Sequence, residues 1–292
     1  MTDGHWKIGV IGGSGLYEID RLEDARWTTV ATPWGEPSDQ LLTGRIGHVE
    51  MVFLPRHGRG HRLAPGDVNS RANIDALKRT GCTEVVAVSA VGSLREGLAP
   101  GQFVIVDQFI DRTFARQKSF FGSGMVAHVS MADPVCPRLS AFCSGAARAA
   151  GATVTDGGTY LAIEGPQFSS RAESNLYRQW ECDVIGMTAM PEAKLAREAE
   201  LPYALVGMVT DYDCWRDEKP VEVAAVIAQL TANAAVGRRL ILELAKALPL
   251  ERPSSPIDRV LDFAVITPPG DRDPALLAKL DAIYPRAATV QP

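Results

Sequence analysis

Short apolar runs, each closed by glycine or another turn residue and separated by stretches of helical periodicity, limit most strongly how this chain can fold. Lys7 to Ile11, Val49 to Leu54, Glu84 to Ala90, Phe103 to Val106, Thr159 to Ile163 and Tyr203 to Val209 read as strands. Val68 to Arg79, Pro137 to Ala150, Arg171 to Trp180, Pro191 to Glu200 and Val221 to Ala247 carry helical patterns. Strands apolar on both faces belong inside a sheet covered by helices, so the alternation predicts an α/β fold with a largely buried central sheet. Gly12, Gly13, Gly15, Gly58, Gly60, Gly92, Gly165 and Gly186 fall at or just beyond strand ends. In open α/β sheets ligands bind there.

A chain of 292 residues, 46% of them hydrophobic, is long enough to bury a large core. The Pro253-Ser254-Ser255-Pro256 segment reads as a linker, which divides a body over residues 1–250 from a docked appendix over residues 251–292. The net charge of -5 is spread without basic blocks and offers no footprint for nucleic acid or anionic lipid. An anionic partner therefore needs a local site. Residues 1–13 lack a cationic stretch followed by a long apolar one, and no later segment reaches membrane-spanning length, so a cytoplasmic protein is expected. Five scattered cysteines with no Cys-x-x-Cys pair suggest neither a disulfide framework nor a zinc site. No metal site is expected.

The run Leu205 to Val209 leads into Thr210, Asp211, Tyr212, Asp213, Cys214 and Trp215. In an extended segment residues i and i+2 share a face, so Asp211 and Asp213 are expected to face one pocket, with at least one pKa raised by crowding and burial. Taken alone, the pair fits a solvated strand-to-loop turn equally well. Cys214 beside these acids is disfavoured as a nucleophile, because nearby negative charge opposes its thiolate.

Four further segments carry chemistry. Ile11 to Leu16 is a strand entering a glycine-rich turn whose amides and Ser14 hydroxyl suit a phosphate, although the spacing of a dinucleotide fingerprint and the lysine of a P-loop are both missing. Arg56 and His57 open a cationic cluster that runs to Arg62; a guanidinium fork beside an imidazole suits a phosphate dianion, and a charged surface loop is the other reading. Ser89, Ala90, Gly92 and Ser93 end a buried-looking strand in small residues, as close approach to a ligand or tight packing requires. Gly186, Met187 and Thr188 precede a helix with Pro191 in its first turn, so Thr188 is a cap or an anion ligand and Met187 is a ligand contact or core.

In combination these segments are more specific. Ile11 to Leu16, Arg56 to Gly58, Ala90 to Leu94, Asp107 to Arg112, Glu164 to Phe168, Gly186 to Thr188 and Thr210 to Trp215 occur in the order found in one family. The chain resembles the trimeric purine nucleoside phosphorylases, above all their methylthioadenosine-cleaving branch, from about Lys7 to Leu248. The resemblance implies a single phosphorylase domain with a central mixed β-sheet flanked by helices. It implies cleavage of an N-glycosidic bond by inorganic phosphate as co-substrate, without metal or organic cofactor, by a homotrimer engaged in purine and methionine salvage. The products would be adenine and 5-methylthioribose 1-phosphate.

The resemblance also implies roles. Ser14, Arg56, His57, Ser89, the Ala90 backbone and Thr188 would surround phosphate, with His57 also counted among the catalytic groups. Met187 would lie against the ribose, Phe168 and Ser169 would border the purine, Asp211 would donate to N7 and Asp213 would accept from the 6-amino group. His128 and the stripe Val223, Val226 and Ile227 would line the pocket for the 5' substituent, His128 being a candidate for donation to a neighbouring subunit. Gly186 and Ala189 stand where some relatives carry Asn and Thr, and the segment from Gly186 to Glu192 is also like that of enzymes acting on methylthioinosine. A 6-oxopurine phosphorylase is the nearest rival, and a phosphate- or nucleotide-binding module without catalysis and a nicotinamide oxidoreductase remain in view.

Overall fold

The computed structural model describes residues 4–13, 15, 16, 19, 21–216 and 223–288. Its strands are β1 (Lys7–Gly12), β2 (Glu23–Thr28), β3 (Leu41–Ile46), β4 (Val49–Pro55), β5 (Glu84–Ser93), β6 (Phe103–Val106), β7 (Gln108–Asp111), β8 (Val154–Asp156), β9 (Thr159–Ala162), β10 (Val184–Gly186) and β11 (Tyr203–Asp211). The helices are α1 (Ser70–Arg79), α2 (Pro137–Ala149), α3 (Arg171–Gln179), α4 (Ala189–Glu198), α5 (Val223–Ala247), and two short turns in the tail, α6 (Leu261–Ala264) and α7 (Pro274–Lys279). The six strands read from apolar runs are all present. β2, whose first four residues are exposed, β3, interrupted by Thr43, Gly44 and Arg45, and the short β7 and β8 were not legible as apolar runs.

All eleven strands form one mixed sheet that forks at β5. The body of β5 runs parallel to both β1 and β11, while its last residues, Gly92 and Ser93, pair antiparallel with β10. From β10 the path continues to β9 and β7, and from β11 to β6 and β8. The fork opens the sheet beside residues 89–93, and a cavity lies there.

Alternation along the central strands assigns side chains to two cores. Tyr203, Leu205 and Val209 join one cluster with Val85, Ala87 and Val91, whereas Ala204, Val206 and Met208 join another with Val86 and Val88. The first cluster is covered by Ile74, Ala76 and Leu77 of α1 and by Ala193, Leu195 and Ala196 of α4. The second is covered by Leu139 and Cys143 of α2 and by Leu240 and Leu244 of α5. The tail reaches the first cluster through Leu261, Leu280, Ile283 and Tyr284, all buried. Burial of each such side chain contributes roughly 1.5 to 3 kcal/mol.

Candidate active site

The cavity at the fork has a volume of about 280 Å³. It gathers the ends of five strands that are far apart in sequence: Gly13 after β1, Arg56 and His57 after β4, Ser89 to Gly92 in β5, Gly186 to Thr188 after β10, and Thr210, Asp211 and Asp213 at the end of β11. Ile163, Phe168 and Ser169 come from the loop after β9. Thus the expected residues Arg56, His57, Ser89, Ala90, Phe168, Ser169, Met187, Thr188, Asp211, Asp213 and Val226 all line one space. Ser14 lies outside the described residues, as does the side chain of Val223.

Two of the expected residues are not part of the cavity wall that this chain forms by itself. Ile227 is 56% exposed and is not in the lining; the apolar stripe of α5 that borders the cavity is Val226, Leu230 and Ala234, with Leu16 and Met208 beside it. A spacing of four keeps that stripe on one line of the helix, whereas the step from 226 to 227 turns about 100° around it. His128 does not line this chain's cavity. It is exposed, and its backbone N–H donates to the Ala264 carbonyl at the tail.

Arg56 differs from a free guanidinium fork. It is 2% exposed, and Nε and Nη2 meet the two carboxylate oxygens of Glu192 at 2.5 and 3.1 Å. Nη1 donates to Val88 O and Nη2 to Ile11 O. Burial alone would lower the pKa of Arg56, but the Glu192 carboxylate more than offsets this and keeps it charged. These bonds fix the plane of the guanidinium and leave one N–H for the cavity. The rest of the cationic cluster is diverted: Arg59 pairs with Asp39, and Arg62 donates to Ser38 O. Left-handed backbone at Gly58, Gly60 and His61 turns the chain there.

His57 donates from Nδ1 to Leu63 O at 2.9 Å and stacks on His61. Burial, reinforced by the Arg56 charge, pulls its pKa down to about 4. Ser89 Oγ donates to the Ala90 carbonyl at 3.0 Å and lies 2.9 Å from Thr188 Oγ1. Thr188 does not cap α4 with its side chain; its hydroxyl lines the cavity and is engaged there by Ser89.

At the other end, Asp211 is the last residue of β11, but Asp213 arrives by a route that strand alternation did not predict. Its φ of 53° is left-handed, and this turn brings its N–H to Asp211 Oδ1 at 2.8 Å. Thr210 Oγ1 lies 2.7 Å from Asp211 Oδ2 and 3.2 Å from Val91 O. Burial raises the pKa of both carboxyls; at Asp213 the Ser174 hydroxyl pulls the other way and the charge of Asp211 adds to the rise. Asp213 Oδ2 and Ser169 Oγ are buried with no hydrogen-bond partner among the described residues. Unpaired buried polar atoms are expensive, and two in one wall mark a place where a ligand completes the bonding. Cys214 donates to Ser169 O, and burial followed by the Asp213 charge raises its thiol pKa, away from nucleophilic use.

Glycines permit these approaches. A Cβ at Gly92 would lie 3.0 Å from Asp211 Oδ1, and one at Gly186 would collide with the Tyr160 hydroxyl. Tyr160 thereby fills the space of a missing side chain at position 186 and accepts from Thr188 N–H at 3.3 Å. Sequence reasoning also missed Glu192 and Arg116. From the irregular loop after β7, Arg116 donates to the carbonyls of Met187, Met190 and Glu164 and to the Glu164 carboxylate at 2.6 to 2.9 Å. One guanidinium thus ties the Met187 turn to the start of the Phe168 loop. Among the described residues no group of three or more His, Cys, Asp or Glu is arranged to hold a metal ion, and no helix is long and apolar enough to cross a membrane.

A family model described as the phosphorylase superfamily matches residues 7–246. The chain belongs to the phosphorylase superfamily. It is 64% identical over 282 residues to an S-methyl-5'-thioadenosine phosphorylase of Cereibacter sphaeroides, covering 96% of this chain and 97% of that one. A protein of the same name from Rhodospirillum rubrum is 58% identical over 286 residues, covering 96% of each. Among solved structures, a methylthioadenosine phosphorylase from an antarctic soil metagenomic library superposes with a TM-score of 0.91 at 45% identity, covering 96% of this chain and 99% of the other. The Schistosoma mansoni methylthioadenosine phosphorylase in complex with adenine gives 0.79 at 39% identity, covering 82% and 91%. The superfamily model stops before the tail, but the bacterial relatives extend over most of it.

Proposed function

We propose that the protein cleaves S-methyl-5'-thioadenosine with inorganic phosphate, releasing adenine and 5-methylthioribose 1-phosphate without metal or organic cofactor. The observation that carries the base assignment is the pairing of Asp211, engaged at both oxygens, with Asp213, whose Oδ2 is buried and unpartnered. An adenine edge presents an acceptor at N7 beside a donor at N6. Protonated Asp211 donates to N7, and Asp213 accepts from the 6-amino group. The Thr210 hydroxyl has one proton for two acceptors, Asp211 Oδ2 and Val91 O; with its proton on Val91 O, it can accept from Asp211 in the protonated form that the reaction needs.

Phosphate lies at the opposite end, between the remaining Arg56 N–H, His57, the Ser89 and Thr188 hydroxyls and the Ala90 backbone, with Ser14 added by the resemblance. As the bond between C1' and N9 breaks, its electron pair goes to the purine, the Asp211 proton goes to N7, and a phosphate oxygen bonds to C1'. Met187 packs on the ribose. Val226, Leu230, Ala234, Leu16 and Met208 receive the methylthio group, an apolar wall in which a 5'-hydroxyl would lose its solvation. The assembly is a cytoplasmic homotrimer in which exposed His128 is lent to a neighbouring site.

Base release from methylthioadenosine, methylthioinosine, adenosine and inosine, with and without phosphate, tests this reading. Phosphate-dependent adenine release, fastest from methylthioadenosine, supports it. Preference for methylthioinosine overturns the assignment of Asp213, and no release with any nucleoside overturns catalysis.

A further inference from the structure

The two ring nitrogens of His57 are in different circumstances. Nδ1 faces the Leu63 carbonyl, which can only accept, so Nδ1 carries a hydrogen and donates it. Nε2 has no hydrogen-bond partner among the described residues, and the ring forms part of the cavity wall next to Arg56. The ring is 9% exposed, beside a permanent guanidinium charge and stacked with centroids 4.4 Å from a second imidazole, His61. A second positive charge in that position is strongly disfavoured, so near neutral pH the ring is uncharged and Nε2 is a bare acceptor.

A bare acceptor is an odd group to set against an anion unless the anion brings a proton. We infer that His57 Nε2 accepts a hydrogen bond from the proton that phosphate itself carries, and that it thereby selects protonated oxyanions over proton-free ones. The inference rests on the phosphate site proposed above. The other groups there, the Arg56 N–H and the Ser89 and Thr188 hydroxyls once turned from Ala90 O and from each other to the anion, can donate to sulfate as readily as to phosphate, so the discrimination falls on His57. A proton-free dianion would place an oxygen lone pair against the Nε2 lone pair and leave both unsatisfied, a penalty worth roughly tenfold or more in affinity. The same contact has a catalytic consequence. Phosphate's proton is held on the oxygen turned towards His57, and the oxygen facing C1' is left unprotonated.

The test uses steady-state phosphorolysis of methylthioadenosine at mildly alkaline pH, where phosphate and arsenate each carry one proton and sulfate and monofluorophosphate carry none. Arsenate is expected to replace phosphate as co-substrate, while sulfate and the near-isosteric monofluorophosphate inhibit with constants roughly tenfold or more above the KM for phosphate. In His57→Gln, whose amide can turn an N–H towards the anion, the ratio of sulfate inhibition constant to phosphate KM is expected to fall by about tenfold. Should that variant be inactive, calorimetric binding of phosphate and sulfate to it and to the unaltered protein reads the same ratio. Sulfate or monofluorophosphate binding the unaltered protein as tightly as phosphate overturns the inference, as does an unchanged ratio in the variant. Absence of any phosphate-dependent turnover instead overturns the phosphorylase reading beneath it.

Discussion

Asp211 and Asp213 leave the same strand end two residues apart, yet their oxygens are differently occupied, and that difference determines what each can do for a purine. Asp211 sits in a wall whose burial raises its pKa against the opposing pull of the Thr210 hydroxyl and the Asp213 N–H that brace it, a balance that favours its use as a proton carrier. Its protonated form is the active one, so kcat should fall as pH rises through the raised pKa, at a higher pH than an ordinary carboxyl would give. Asp211→Asn keeps a donor towards N7 but has no proton to transfer; kcat is expected to drop by a factor on the order of 10² to 10⁴, and the alkaline limb assigned to Asp211 should vanish from its pH profile. Asp213 is different because its open oxygen must accept. Asp213→Asn can offer an N–H there, so the ratio of kcat/KM for methylthioadenosine to that for methylthioinosine should fall by roughly tenfold or more, measured on the two substrates side by side. Burial raises Asp213 as well, which gives the unaltered enzyme a milder form of the same shift: as pH falls, its protonated fraction grows and use of the 6-oxopurine should improve relative to methylthioadenosine.

Among the elements, α5 shows where reading by periodicity reached and where it stopped. The helix was legible because apolar residues recur at helical spacing from Val226 onward. Which residues face the cavity was not, because Val226 to Leu240 contains more apolar positions than one face holds, and only packing against Met208 and Leu16 selects Val226, Leu230 and Ala234. Leu230→Ser should therefore lower kcat/KM for methylthioadenosine relative to adenosine by about tenfold, through loss of apolar contact with the methylthio group. The strand ends were legible for a different reason: glycine and small residues at a buried strand terminus have few explanations besides close approach. Glu192 and Arg116 were not legible, since neither has a spacing signature. Glu192 looks like an ordinary acid in the first turn of a helix, and Arg116 stands 71 residues from the Met187 carbonyl it holds. Replacing Arg116 by Lys preserves charge but supplies a point donor in place of a fork that reaches the Glu164 carboxylate and the carbonyls of Ile163, Glu164, Met187 and Met190. The expected outcome is a kcat/KM reduced by at least about tenfold, read in the same assay.

Across the whole molecule, the tail beyond residue 250 tests whether sequence composition can mark a structural boundary. The Pro253 to Pro256 segment has the composition of a linker, yet Arg252 just before it is buried between Glu84 and Asp258, and the chain beyond it is packed onto the body. Arg286 reaches the buried Glu200 after α4, Arg79 of α1 pairs with Asp281, and Leu280 and Ile283 are fully buried in the cluster that also contains Ile11 and Val91. A tail held only by exposed ion pairs would detach at little cost, because such pairs contribute about 0 to 1 kcal/mol each. One whose apolar residues complete the main core should melt together with it. Leu280→Ala removes a buried side chain from a packed environment, with a cost of about 2 to 5 kcal/mol. For a chain of this size that corresponds to a fall in melting temperature on the order of 3 to 8 °C. Differential scanning calorimetry should show the entire transition moving down as one peak. A separate low-temperature peak, with the main transition unmoved, would mean that the tail is an independent appendage. The active site provides the complementary readout: α4, which carries Glu192, is also anchored by Ala193, Leu195 and Ala196, so below the transition Leu280→Ala should retain its KM for phosphate.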